Sequence, residues 1–289
     1  MTAASLPAAS DAAPFGTFAL PPARERLRAL VAHLPSGRWQ RQAASVLRRV
    51  VLAGWPGPVD FEPFPTTRAR LYPRDNISDK HCLMHPEVWD AVERGAILEH
   101  LRTAVSQPLV FVDVGANVGL YTLSALSKAR THGRDLRVLA VEPEPLNLAR
   151  LRFNLLCSEA GESVTVAAMA AGDRHCTARL QVAQRNRGDT YISPDGDVEV
   201  EMAPLADLVI NAGFDHIDAM KLDIEGYEPI VLEHFFAHVP AALYPAIIVV
   251  EVRYDPTQRV AAICAAAGYK TLRDDGFNAI LNYNTAIRN

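Results

Sequence analysis

The run Leu109-Val110-Phe111-Val112 ends in Asp113-Val114-Gly115-Ala116-Asn117-Val118-Gly119, and no other stretch narrows the fold as far. A short β-branched and aromatic run that breaks into glycine-rich sequence reads as a buried strand entering a turn. Glycine, lacking a Cβ, can take φ > 0 and lets a ligand approach the backbone. The following Leu120-Tyr121-Thr122-Leu123-Ser124-Ala125-Leu126 has helical spacing, so the turn delivers a helix N-terminus to the same place. The junction predicts a nucleotide-like cofactor site at the carboxyl edge of a parallel sheet, with Asp113, Gly115, Asn117 and Gly119 at the cofactor.

Which cofactor follows from what the turn lacks. Gly115 and Gly119 are four apart, and Asn117 stands where a dinucleotide fingerprint needs its second glycine. An acid at Asp113 would face two negative phosphates, whereas it suits a cation such as the amino end of a methionine moiety. Both points argue against a nicotinamide-dependent oxidoreductase, the first rival reading. No G-x-x-x-x-G-K-[ST] run is present, so a P-loop is not expected. A second apolar run, Arg137 to Val141, ends in Glu142 about 23 residues past Gly119, near the roughly 20-residue offset at which an acid meets a ribose diol. Glu142 is therefore read as the ribose ligand.

At this point the chain resembles a known family. The blocks VDVGANVGLYT, VEPEPLNLARLRFN and MKLDIEGYEP, in this order, are similar to the FkbM-type branch of S-adenosylmethionine-dependent methyltransferases. The likeness runs from about Leu109 to Asn282, with a looser echo from Arg68 to Pro86 (RARLYPRDNISDKHCLMHP). It implies a Rossmann-like class I methyltransferase sheet, S-adenosyl-L-methionine as donor, and an oxygen acceptor on a sugar or natural product. The second block adds Asn147 to the expected cofactor-binding residues. Asp173, after the third strand, is expected near the adenine.

Methyl transfer from a sulfonium asks the protein mainly to align the acceptor and take its proton. Such groups belong at the carboxyl ends of the middle strands. Asp223 leaves the fourth expected strand there and is the first candidate, followed by Glu225 in the next turn. Glu225 and Glu228 can equally be complements to a helix N-terminus. His81 and His85, in DKHCLMHP, are the histidines expected near an acceptor. Asp223 and Glu251 at adjacent strand ends, with Glu225 nearby, could offer oxygen ligands to Mg²⁺. The spacing does not demand a metal, and none is assigned. A non-catalytic cofactor-binding scaffold is the second rival, opposed by Asp113, Glu142 and Asp223 together.

The net charge of −4 leaves no basic footprint for nucleic acid, so the expected acceptor is a small molecule or glycan. The richest basic stretch, Arg38, Arg41, Arg48 and Arg49, reads as a solvated helix face. Cys82, Cys157, Cys176 and Cys264 are scattered without a C-x-x-C pair, which suggests reduced thiols and a cytoplasmic protein. Neither a membrane span nor a signal peptide is expected. Three regions are anticipated: a flexible tail over 1–22, a helical and extended cap over 23–105, and the cofactor-binding domain over 106–289. In the cap, two short helices are expected between Ala23 and Ala53, a strand at Thr67–Tyr72 and a helix at Trp89–Leu101. In the domain, parallel strands are expected at Leu109–Asp113, Arg137–Glu142, Val164–Met169, Ala219–Ile224 and Ala246–Glu251. Between the third and fourth, two antiparallel strands flank a polar loop, Arg185 to Asp197. A closing hairpin pairs Tyr269–Arg273 with Asn278–Tyr283.

Overall fold

Asp60 and Arg70 organise the first part of the chain in the computed structural model, which describes residues 13–32, 49–55, 57–183 and 186–284. They face each other across an antiparallel hairpin of β1 (Val59–Phe61) and β2 (Ala69–Leu71), as an ion pair of 2.7 Å with both side chains 1% exposed. The remaining guanidinium donors reach the carbonyls of Ala13 and Pro14, and the amides of Gly16 and Phe18 donate to Asp60 Oδ2. Phe18 and Phe153 present their rings to the Arg70 guanidinium. Residues 13–20 are thus a strap across the hairpin, and the expected free tail through Pro22 is corrected from Ala13 onward. A buried pair holds only when its other hydrogen-bonding positions are filled, which is what the strap does.

Helices α1 (Pro22–Ala32), α2 (Ile77–Met84) and α3 (Ala91–Thr103) complete this region. Asn76 caps α2 by accepting from the Asp79 amide. The second short helix expected over Ala44 to Leu47, and Arg38, Arg41 and Arg48, lie outside the described residues.

From Leu109 the chain alternates. In order come β3 (Leu109–Val114), α4 (Leu120–Thr131), β4 (Leu136–Val141), α5 (Pro145–Cys157) and β5 (Val164–Ala167). A second sheet follows, made of β6 (Ala170–Gly172), β7 (Cys176–Gln181), β8 (Tyr191–Ile192) and β9 (Val198–Pro204). The main fold resumes with α6 (Leu205–Asn211), β10 (Ala219–Leu222), α7 (Glu228–His238), β11 (Ile247–Glu251), α8 (Arg259–Ala266), β12 (Tyr269–Asp274) and β13 (Asn278–Tyr283). The main sheet has the order β12-β13-β11-β10-β3-β4-β5, parallel except for the antiparallel pairings of β13.

Every residue of β3 is buried because both faces of the sheet are covered, the reason such strands read as continuous apolar runs. Leu109 and Phe111 pack with α4 and α5 on one face, and Val110, Val112 and Val114 with α6 and α7 on the other. The first core also takes in Leu71, Leu83 and Ile97, so the cap and the cofactor domain share one interior. Asn154 of α5 links them, accepting from the Arg70 amide at 2.7 Å and donating to the Val118 carbonyl at 2.9 Å.

The expected third strand stops at Ala167. The chain bends at Ala168 and Met169 and enters the second sheet, where β6 pairs parallel with β9. β3 pairs with β4 on one side and β10 on the other, and the chain order reverses between them. Ligands gather outside the carboxyl ends of the strands at such a switch point. No helix among the described residues is long and apolar enough to cross a membrane.

Candidate active site

A cavity of about 410 Å³ opens at that switch point, with Asp113, Gly115, Asn117, Glu142, Asn147 and Asp223 in its lining. Gly115 has φ +78°, and a Cβ there would run into the backbone carbonyl of Asp223. Glycine is required here because the turn after β3 presses against the chain leaving β10. Asn117 takes a left-handed φ of 52°, which asparagine tolerates better than most residues. Its amide donates to Glu142 Oε2 at 2.7 Å, and its side-chain oxygen accepts from Asn76 at 2.8 Å.

The two strand-end acids differ in what they leave open. Asp113 is 1% exposed, and its Oδ2 accepts from the amide and hydroxyl of Thr122 in the first turn of α4. Its Oδ1 is buried without a partner. Burial raises the Asp113 pKa, against the opposing pull of Lys221 and Thr122. Glu142 accepts from the amides of Asn117 and Glu144, one on each oxygen, and burial pushes its pKa up to about 8. Glu144 caps α5 through the Asn147 amide, and the Asn147 side-chain oxygen is another buried acceptor without a partner.

A polar wall closes one side. Arg150 holds Asp75 through two bonds of 3.0 and 2.9 Å, and the Arg187 amide donates to the Asp75 carbonyl. Arg187 also pairs with Glu144, and Asn186 accepts from the Ile77 amide. The described part of the polar loop foreseen between β7 and β9 therefore docks on α2 and α5, and Asp189 to Ile192 line the cavity.

The opposite side carries charge. Lys221 is buried, with Nζ 2.6 Å from Asp223 Oδ2 and 4.7 Å from the centre of the Tyr121 ring. Asp223, Glu225 and Glu251 each offer an oxygen, all within 4.8 Å of one another. Burial, and then Asp223, raise Glu225 to about 7 and Glu251 to about 9. Glu228 behaves differently. It accepts from the amides of Ile224 and Gly226, fixing the turn ahead of α7.

Three sequence candidates stay outside this assembly. His81 is exposed on α2, His85 caps the C-terminus of that helix, and neither lines the cavity. Asp173 pairs with its neighbour Arg174 instead, because the bend after β5 carries it away; Ala170 and Ala171 line the cavity in its stead. Lys221, Asp90, Trp89 and Tyr121 line the site without having been singled out from sequence. For Lys221 a signal existed: it precedes Asp223 by two residues, and such residues share one face of a strand.

The methyltransferase FkbM domain model matches residues 113–282. The chain belongs to the FkbM methyltransferase family. It is an S-adenosylmethionine-dependent methyltransferase with a class I sheet, mostly parallel and closed by an antiparallel hairpin. The family also separates it from nicotinamide oxidoreductases. No curated protein matches it in sequence. Among solved structures it is similar to precorrin-6y C5,15-methyltransferase from Geobacter metallireducens GS-15, at 15% identity over 66% of this chain and 87% of that one, TM-score 0.41. It is similar to the SAM-dependent methyltransferase from Agrobacterium tumefaciens, at 12% identity over 79% and 70%, TM-score 0.42. It is similar also to M. jannaschii TYW2 in complex with AdoMet, at 15% identity over 81% and 90%, TM-score 0.37. The cavity fits the family's cofactor: the unpartnered acceptors of Asp113 and Asn147 open onto a space suited to a donor-rich group.

Proposed function

We propose that this FkbM methyltransferase transfers the methyl group to a hydroxyl of a sugar or natural product. The observation that carries the reading is Asp223. It leaves β10 at the switch point, lines the cavity, and has Oδ2 held by Lys221 while Oδ1 has no protein partner among the described residues. An acceptor hydroxyl can donate its proton to that oxygen. Asp90, Asp189, Glu225 and Glu251 also line the cavity and disfavour phosphate-bearing acceptors, which supports a small molecule or glycan over nucleic acid.

On the donor side, Asp113 Oδ1 would take the ammonium of the methionine moiety, and Glu142 the ribose hydroxyls through its remaining lone pairs. Gly115, Asn117 and Gly119 would shape the turn beneath them, and Asn147 would offer its side-chain oxygen. When bound, S-adenosylmethionine supplies a methyl group already activated on sulfur. A metal-assisted version draws support from the carboxylate trio, which suits Mg²⁺.

The test is S-adenosylhomocysteine formation and product mass across a panel of glycosides and hydroxylated natural products. Asp223→Asn should slow single-turnover methylation by about 10²- to 10⁴-fold with cofactor affinity nearly unchanged. Activity lost to EDTA and restored by Mg²⁺ favours the metal version, and indifference favours direct proton acceptance. A variant that loses cofactor binding but keeps its rate at saturation would move Asp223 to the donor side. Cofactor binding without turnover on any acceptor would favour the scaffold reading.

A further inference from the structure

Lys221 sits where a cation is hard to account for by folding alone. A buried ammonium loses its hydration, and a lysine on a central strand of a sheet covered on both faces is replaceable in packing terms by methionine or leucine. Here the ammonium bonds Asp223 Oδ2 at 2.6 Å and lies over the Tyr121 ring, whose hydroxyl is itself tied to Asp90 Oδ2 at 3.1 Å. Burial works against the charge, but Asp223 and Asp113 outweigh it and raise the lysine pKa.

The consequence falls on Asp223. From β3 it faces Asp113, from the turn before α3 Asp90, and from α4 Tyr121. From its own turn, from α7 and from β11 it faces Glu225, Glu228 and Glu251. Among so many acids, an uncompensated carboxylate would retain its proton and could not accept another. One compact ammonium on Oδ2 supplies the compensating charge. It also pins the carboxylate plane, which turns Oδ1 to the cavity. Arginine would present a forked pair of donors and compete for both oxygens; lysine, a point charge, engages one.

We infer that Lys221 is a positioning residue for the methyl-transfer reaction, holding Asp223 as an aimed, charge-balanced carboxylate with Oδ1 turned to the acceptor hydroxyl. This rests on the reading of Asp223 as the acceptor's proton acceptor.

The test is a carboxyl ¹³C NMR titration of Asp223 in the full chain without ligand, wild type against Lys221→Met, alongside S-adenosylhomocysteine calorimetry. The Asp223 midpoint should rise by about one pH unit or more in the variant, a tenfold or larger gain in proton affinity, with ligand affinity nearly unchanged. If Lys221→Met does not fold, the reciprocal measurement serves: Asp223→Asn should lower the midpoint of the Lys221 ammonium, followed by ¹⁵N. Lys221→Arg should restore the charge but leave single-turnover methylation slow. An unchanged midpoint in both measurements, or a Lys221→Met protein that folds but no longer binds S-adenosylhomocysteine, overturns the inference. The Asp223 reading fails by a separate result, an Asp223→Asn protein that keeps its single-turnover rate.

Discussion

Glu142 and Gly115 carry different burdens at neighbouring points of the cavity. Glu142 bridges the turns after β3 and β4 through the Asn117 and Glu144 amides and retains lone pairs on the cavity side. Glu142→Ala should weaken S-adenosylhomocysteine binding by about 1.5–3 kcal/mol, measured by calorimetry. Glu142→Gln, which keeps one carbonyl oxygen, should lose less. Equal affinity in the wild type and both variants would remove Glu142 from the donor site. Gly115 acts through the backbone. Gly115→Ala would force a Cβ against the Asp223 carbonyl, whereas Gly133, at φ +61°, has open space around its Cβ position. Gly133→Ala should therefore cost only the left-handed backbone, about 1–2 kcal/mol, and Gly115→Ala distinctly more in a denaturant titration. Comparable losses would mean that the turn can move off β10. Of these residues, Asp113, Gly115 and Glu142 were legible because each stands at the end of an apolar run. Lys221 was not, since a lysine inside a strand carries no sign that its two-residue neighbour lies in a cavity.

At the scale of elements, the strap shows what composition conceals. An Ala-, Ser- and Pro-rich beginning reads as a loose tail, yet Gly16 and Phe18 donate to Asp60, and Ala13 and Pro14 accept from Arg70. Asp60→Ala should cost about 3–5 kcal/mol, the loss expected when one partner of a buried pair is removed. Deleting residues 1–20 should also lower the melting temperature, whereas the wild-type melting temperature in the Asp60→Ala protein would show that water replaces the carboxylate. Strands β3, β4, β10 and β11 could be read to within a few residues because burial on both faces demands unbroken apolar runs. The closing hairpin was legible from its Asp274-Asp275-Gly276 turn. Helix α2 was not foreseen, since Ile-Ser-Asp-Lys-His-Cys-Leu-Met mixes its apolar residues and is held by the Asn76 cap and by burial of Cys82, Leu83 and Met84. Nor was β6, which looks like the end of β5 until the bend at Ala168 and Met169 sends it to the second sheet. His81, His85 and Asp173 were misjudged for the same reason: their sequence neighbourhood was right, but the direction of a side chain is set by tertiary packing.

For the whole molecule, the carboxyl groups buried around one cavity couple folding to pH. Burial holds Glu142 at about 8 and Glu251 at about 9, and holds Glu225, Glu228 and, beneath α2, Asp79 at about 7. Their ordinary values are 4.5 for glutamate and 3.8 for aspartate. Between each ordinary value and the raised one, the folded protein binds more protons than the unfolded chain, so stability falls as pH rises. The contribution is fully present below the unfolded pKa and lost as pH passes through the folded one. Lys221, raised above the ordinary lysine value, retains its contribution throughout this range and offsets part of the loss. The ligand-free protein should therefore melt at progressively lower temperature from about pH 5 to about pH 9. Glu251→Gln removes one of the buried charges that must form, and should flatten the upper part of the curve. Saturating S-adenosylhomocysteine should raise the whole curve by mass action, and most at high pH, where its ammonium would meet an ionised Asp113. Differential scanning fluorimetry across buffers of equal ionic strength reads all three curves. A ligand-free melting temperature that climbs across this range would mean that these carboxylates are better solvated than their burial implies, and would undo the electrostatic account of the cavity.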